Sequence, residues 1–322
     1  MRRRDFIASV AGAAIAWPRA AGAQQPKLRT IGVLVRAAPG WQRFWKLFPG
    51  ALHDLGYTEG QNIRFEFRSD EGQINRLSEL AAELTRLKVD VIVSWFTPAA
   101  IAAKQATRDI PIVCALCGDM VGTGLVENLA RPGGNVTGNS SLNPELGAKA
   151  VDLIRQMVPS THRIGVLAPF SKPFLKQIQD AGKSTGTAIE PIMIHAAEEL
   201  DAAFAAMETT RVDAVIVQPS LPTKRIAELA LKYRIPSVCT FRDFAYDGGL
   251  ISYFANETEM YRSAAVLVDK VLRGAKPAEL PVEQPTRFEL VINLKTAKAL
   301  GLDVPTAPSR GSDRLPLRPT QK

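Results

Sequence analysis

Thr97, Pro98 and Ala99 are the residues of this chain with the clearest chemical purpose, because of what precedes them: Val89, Val91, Ile92 and Val93, a β-branched apolar run. The run predicts a buried strand. Thr-Pro-Ala predicts the opening of an Ala-rich helix, with Thr97 as its N-cap and Pro98 at the first helical position. A strand that feeds a helix start leaves backbone N–H groups unpaired at the carboxyl edge of a sheet, where a carboxylate or phosphate can settle. The chemistry expected here is reversible capture of a small anion.

Other reactive side chains point away from catalysis. Cys114, Cys117 and Cys239 are the only cysteines. The first two end a predicted strand, where residues three apart point to opposite faces, whereas a redox pair needs a helix start; buried thiols are expected. His53, His162 and His195 form no metal-ligand spacing with a cysteine or carboxylate. Gly122 and Gly124 make a G-x-G, but neither the rest of a dinucleotide fingerprint nor a phosphate-loop lysine accompanies it. No metal, no cofactor and no enzymatic role are expected.

The elements that must position the anion turn occur twice. RTIGVLVR at 29–36 matches HRIGVLAP at 162–169, KVDVIVS at 88–94 matches RVDAVIVQP at 211–219, and DIPIVCA at 109–115 matches RIPSVCT at 234–240. The order is the same each time. Continuous Val/Ile runs need burial on both faces, so the pattern predicts two α/β lobes, each a parallel sheet covered by helices. A chain of 322 residues also exceeds what one core usually holds. The first lobe is expected to comprise 24–138 plus 248–280, and the second 139–247 plus 281–304. Crossings are then expected at NVTGNS, at Gly248-Gly249 and in LPVEQPTRF. Residues 305–322, rich in Pro and Arg, are expected to be disordered.

Residues 1–23 predict an export signal: Arg2, Arg3 and Arg4, an apolar Ala-rich stretch, then Ala21-Gly22-Ala23 as a cleavage site. Arg3-Arg4-Asp5-Phe6 suits twin-arginine export, with the general secretory route as its rival. Either predicts a periplasmic protein beginning near Gln24. The formal charge of +8 is concentrated at the ends: residues 1–23 and 306–322 each carry +3, leaving about +2 on the body. Nucleic acid is not an expected partner of such a body.

Several segments together resemble one family. GYTEGQNIRFEFR, LAAELTRLKVDVIVSWFTPAAIAAKQATRDIPIV, GDMVGTGLVENLARPGGNVTG, RIAELALKYRIP, FRDFAYDGGLISY and VDKVLRGAKPAELPVEQPTRFELVINLKTAKALGL are similar to periplasmic substrate-binding proteins of ABC importers, in the branch associated with tryptophan and tyrosine. The resemblance implies a type I periplasmic binding protein fold: two Rossmann-like lobes joined by three crossing segments, with the ligand in the cleft between them. Its partners would be an amino acid or aromatic carboxylate and an ABC permease in the inner membrane; a sensor subunit for a membrane receptor is the alternative. Carried over residue by residue, Ser94, Thr97 and Ala99 fall in the turn that receives the ligand carboxylate, and Asp119 is placed to pair with its ammonium. Phe170 and Ser220 follow second-lobe strands, and Phe241, Arg242, Tyr246 and Ser252 flank the second crossing. Phe96, Phe170, Phe241 and Tyr246 would hold the apolar body. The chain departs from the family at Trp95 and Phe96, where smaller residues are usual, at Met120, and in a short stretch between Pro219 and Arg225. These departures bear on the ligand more than on the fold.

Overall fold

The computed structural model describes residues 28–37, 40–141, 144–169 and 172–304, so the expected export signal, the tail from 305 and Phe170 lie outside the described residues. The first lobe runs β1 (Arg29–Val35), α1 (Trp41–His53), β2 (Ile63–Ser69), α2 (Leu77–Arg86), β3 (Val91–Trp95), α3 (Thr97–Ala106), β4 (Ile112–Cys117) and β5 (Val136–Ser140). The second runs α4 (Pro144–Met157), β6 (Arg163–Ala168), α5 (Lys172–Thr185), β7 (Ala188–Met193), α6 (Leu200–Thr209), β8 (Ala214–Val217), α7 (Thr223–Lys232), β9 (Ser237–Cys239), α8 (Asp243–Tyr246) and β10 (Ile251–Ala255). The chain then returns through α9 (Glu257–Leu272) to the first lobe and ends with β11 (Phe288–Ile292) and α10 (Leu294–Leu300) on the second.

The two sheets repeat one plan. The first has the order β2-β1-β3-β4-β5 and the second β11-β10-β9-β8-β6-β7, so β2-β1-β3-β4 corresponds to β7-β6-β8-β9. Three of these pairs, β1 with β6, β3 with β8 and β4 with β9, are the segments whose sequences match. All pairs are parallel except β10 with β11. The interior strands β3, β4 and β8 are buried at every residue because helices cover both faces, while the edge strands β2 and β7 expose part of theirs.

Two boundaries fall elsewhere than the sequence predicts. β10 was expected in the first lobe, yet it pairs with β9 and β11 in the second; Gly248 (φ 109°) closes the turn after α8 and does not begin a crossing. The return follows Ala255, where Asn256 caps α9 by accepting from the Glu259 amide at 3.0 Å. Conversely, Val282 and Glu283 donate to Leu129 O and Gly138 O, which keeps them on the first lobe past residue 280.

The end of β4 also departs from a regular strand. Leu116 has φ 61° and the pairing with β5 shifts register between Cys114 and Cys117. That bulge brings both thiols into the same apolar cluster, on one face and not on two. All three cysteines are free and buried, and burial pushes the Cys117 and Cys239 thiols up, away from the reactive thiolate.

The cores of the lobes are not separate. One cluster runs from Val33, Phe44, Trp95 and Phe96 through α9 to Val217, Phe241 and Phe244. The hinge is therefore packed with apolar side chains.

Candidate functional site

The carboxyl ends of the parallel strands in both lobes open onto one cavity of about 1240 Å3. This is where an open parallel sheet leaves a crevice for ligands. The first lobe contributes Arg36 after β1, Phe96 and Thr97 after β3, and Gly118 and Asp119 after β4. The second contributes Pro169 after β6, His195 after β7, Gln218 and Ser220 after β8, and Thr240 and Phe241 after β9.

The turn between β3 and α3 is held open to the cavity by its backbone. Phe96 occupies the N-cap position with φ 71° and ψ 156°, a conformation that costs a residue with a Cβ roughly 1–3 kcal/mol. Its ring is fixed by stacking on Trp95 at 4.0 Å and by edge contact with Phe241 at 6.0 Å across the cleft. Thr97, expected as the N-cap, is instead the first helical residue, and its Oγ1 accepts from the Gly118 amide at 2.8 Å. No side chain caps α3, and the first helical amide to find a helix carbonyl is that of Ala100, donating to Phe96 O. The amides of Thr97 and Ala99 thus precede the first intrahelical bond, in the position that receives anions.

Asp119 stands beside this turn, half-buried, with Oδ1 accepting from the Gly122 amide at 2.8 Å. Arg36 faces the same space. Its Nη1 is 3.0 Å from Oδ2 of Asp70, which is fully buried and also accepts from the amides of Ala37 and Gly72. The Arg36 Nε is buried and has no partner.

At the hinge side, Arg43 of α1 bridges Asp243 of α8 and Glu257 of α9. Burial opposes the Arg43 charge, and the two carboxylates more than restore it, so its pKa lies above the ordinary value. Burial raises the Glu257 carboxyl above its usual range, with Arg43 offsetting part of the rise. Glycine is required nearby: Gly40 (φ 90°) lies so close to Phe241 that a Cβ would sit 2.4 Å from the ring.

Of the residues singled out by sequence, Phe96, Thr97, Asp119, Ser220 and Phe241 come together on the cavity. The other described ones do not line it. Ser94 and Ala99 have fully buried side chains, one within the sheet beside Cys117 and the other on the buried face of α3, so Ala99 can offer only its amide. Ser252 is fully buried and its Oγ accepts from the Ala245 amide at 2.9 Å, joining β10 to α8. Arg242 lies over the ring of Tyr246 at 5.5 Å, and Tyr246 is 47% exposed. Sequence reasoning missed Arg36, His195, Gln218 and Glu257. Arg36 had a usable signal, since it directly follows the first strand at the edge where ligands bind. The pattern G-x-S-x-G occurs at Gly182–Gly186, but it lies at the end of helix α5 and not at a strand-to-helix turn, and Ser184 Oγ donates to Ala181 O.

The ABC transporter substrate binding protein model matches residues 31–310. The chain belongs to that family of ABC transporter substrate-binding proteins. Within the family, it is 28% identical over 275 residues to a tyrosine-binding protein of Clostridioides difficile, covering 82% of this chain and 78% of the relative. A Streptococcus pneumonia ABC domain in complex with L-Trp superposes with a TM-score of 0.82 at 27% identity, over 87% of this chain and 97% of that one. A conserved domain protein of Vibrio cholerae gives 0.81 at 24% identity, with the same coverage, and supports the fold. Membership makes this a ligand-capturing subunit that works outside the cytoplasm with a membrane transporter, and its family role is binding, not catalysis.

Proposed function

We propose that this protein captures an aromatic amino acid, tryptophan or tyrosine in type, in the periplasm and delivers it to an ABC permease of the inner membrane. The observation that carries the reading is the meeting of Phe96 and Phe241 across the cleft, beside an uncapped helix start and the Asp119 carboxylate. The Thr97 and Ala99 amides receive the ligand carboxylate, Arg36 adds positive charge to that side, and Asp119 takes the ammonium. Ser220 and Gln218, hydrogen-bonded to each other, meet the ligand from the second lobe. The cavity exceeds what one amino acid fills, so the ligand gains its full burial as the lobes close on it, and the closed form is what the permease reads. The similarity to a tyrosine-binding protein and to a structure holding L-Trp supports this ligand class.

A thermal-shift screen of the purified protein against the amino acids and simple aromatic acids tests it. At a hundredfold excess over Kd a ligand stabilises by roughly 2.7 kcal/mol, a shift of several degrees. Tryptophan and tyrosine are expected among the largest shifts; no shift with any aromatic amino acid sinks the ligand assignment. Cleavage after Ala23 is checked by the mass of the exported protein.

A further inference from the structure

Glu257 opens α9 on the wall of the cleft, where the second crossing enters the first lobe. Its side chain is only 5% exposed. Oε2 is 2.9 Å from Arg43 Nη1, and Arg43 also binds Asp243, so the carboxylate cannot swing away without breaking a buried ion pair. Oε1 is buried and hydrogen-bonds to nothing. A buried acceptor left in that state is destabilising, and on the wall of a binding cleft a ligand that brings a donor removes the penalty. Phe96, Phe241, Phe254 and Ala255 line the same cavity and hold no side-chain donor; Arg242 and Tyr261 also feel the Glu257 charge, but neither hydrogen-bonds to Oε1. Asp119 sits apart, on the loop after β4, and already serves the ammonium in the reading above.

We propose that Glu257 selects ligands whose aromatic body carries an N–H or O–H donor, an indole or a phenol, over ligands with a bare hydrocarbon or thioether ring. This rests on the aromatic amino acid reading. Glu257 Oε1 accepts the ring-borne hydrogen as the lobes close, and a ring without one leaves the oxygen buried and unpaired. A site built around such an acceptor rejects the analogue lacking the donor more strongly than an apolar pocket rejects a change in size.

Calorimetry with matched pairs tests this in the unmodified protein: tryptophan against 3-benzothienylalanine, tyrosine against phenylalanine, and the deaminated acid of each. The donor-bearing member is expected to bind roughly tenfold tighter or more in every pair. Glu257→Gln keeps the shape but, with its oxygen on Arg43, turns an NH2 toward the ligand. The ratio should then vanish while phenylalanine changes by less than about threefold. Equal binding within the pairs, survival of the ratio in Glu257→Gln, or its loss in the deaminated pairs would each overturn the inference. The last result would show that Glu257 reads the ammonium. If Glu257→Gln fails to fold, the wild-type pairs still decide. Binding without discrimination removes the Glu257 role alone, whereas no binding by any of these compounds removes the aromatic reading and this inference with it.

Discussion

Thr97 Oγ1 accepts the hydrogen bond of the Gly118 amide at 2.8 Å, which fastens the start of α3 to the loop that carries Asp119. The anion turn and the carboxylate beside it therefore keep a fixed spacing. Thr97→Val has the same shape but no acceptor, and it leaves the Gly118 amide without its partner. The expected loss is about 1–2 kcal/mol of stability, seen as a few degrees in calorimetric Tm, with roughly tenfold weaker ligand binding. Unchanged affinity would mean that the spacing is held by other contacts.

Asp119→Ala separates the two ends of the ligand. Losing a charged hydrogen bond costs about 1.5–3 kcal/mol, so an aromatic amino acid should bind roughly tenfold to a hundredfold more weakly, while the matching deaminated acid is almost unaffected. Titration calorimetry of both ligands against both proteins gives the answer; equal losses would remove Asp119 from the ammonium.

Gly138 has φ 143° in β5, and a Cβ there would lie 2.3 Å from the carbonyl oxygen of Cys114 and 2.5 Å from its nitrogen. Backbone cannot move aside as a flexible side chain can. Gly138→Ala should lose roughly 3 kcal/mol or more in denaturant unfolding, because it prises β5 from β4 at the first crossing. An alanine variant of wild-type stability would contradict this close approach.

Glu257 gives a signed dependence on pH. Burial lifts its folded pKa above the ordinary value of 4.5, so between those values the folded state holds more protons than the unfolded one. Its contribution to stability therefore falls as pH rises through that window. Glu257→Gln has no such titration. The Tm of wild type minus that of Glu257→Gln should decline as pH is raised from about 4 toward neutrality, measured without ligand; a rising difference would mean that Arg43 outweighs burial.

The fold was legible because the information is repeated: RTIGVLVR and HRIGVLAP became β1 and β6, and each pair of matching strands holds the same place in its sheet. Phe96, Thr97, Asp119, Ser220 and Phe241 were legible because residues just beyond a parallel strand reach the crevice whatever the loop does next. Farther along a loop, direction depends on packing that a linear pattern does not carry. Arg242 and Tyr246 follow β9 by only a few residues, yet they pack on each other and neither lines the cavity: Tyr246 is exposed, and the Arg242 Nε is buried. Ser252 lies on a buried strand but its hydroxyl serves the Ala245 amide. Period-2 reasoning put Cys114 and Cys117 on opposite faces, and a single positive φ at Leu116 reversed that. Glu257 was unreadable because its role depends on Arg43, 214 positions away in the chain.

The apolar seam that threads the hinge, with Phe96 meeting Phe241, has a consequence for engineering. Neither half is a module that can be lifted out intact: expressed alone, each would carry a greasy scar where its neighbour had been. A chimera that exchanges one half with a relative must exchange the matching side of the seam as well, or its two parts will not fit along the line about which they bend.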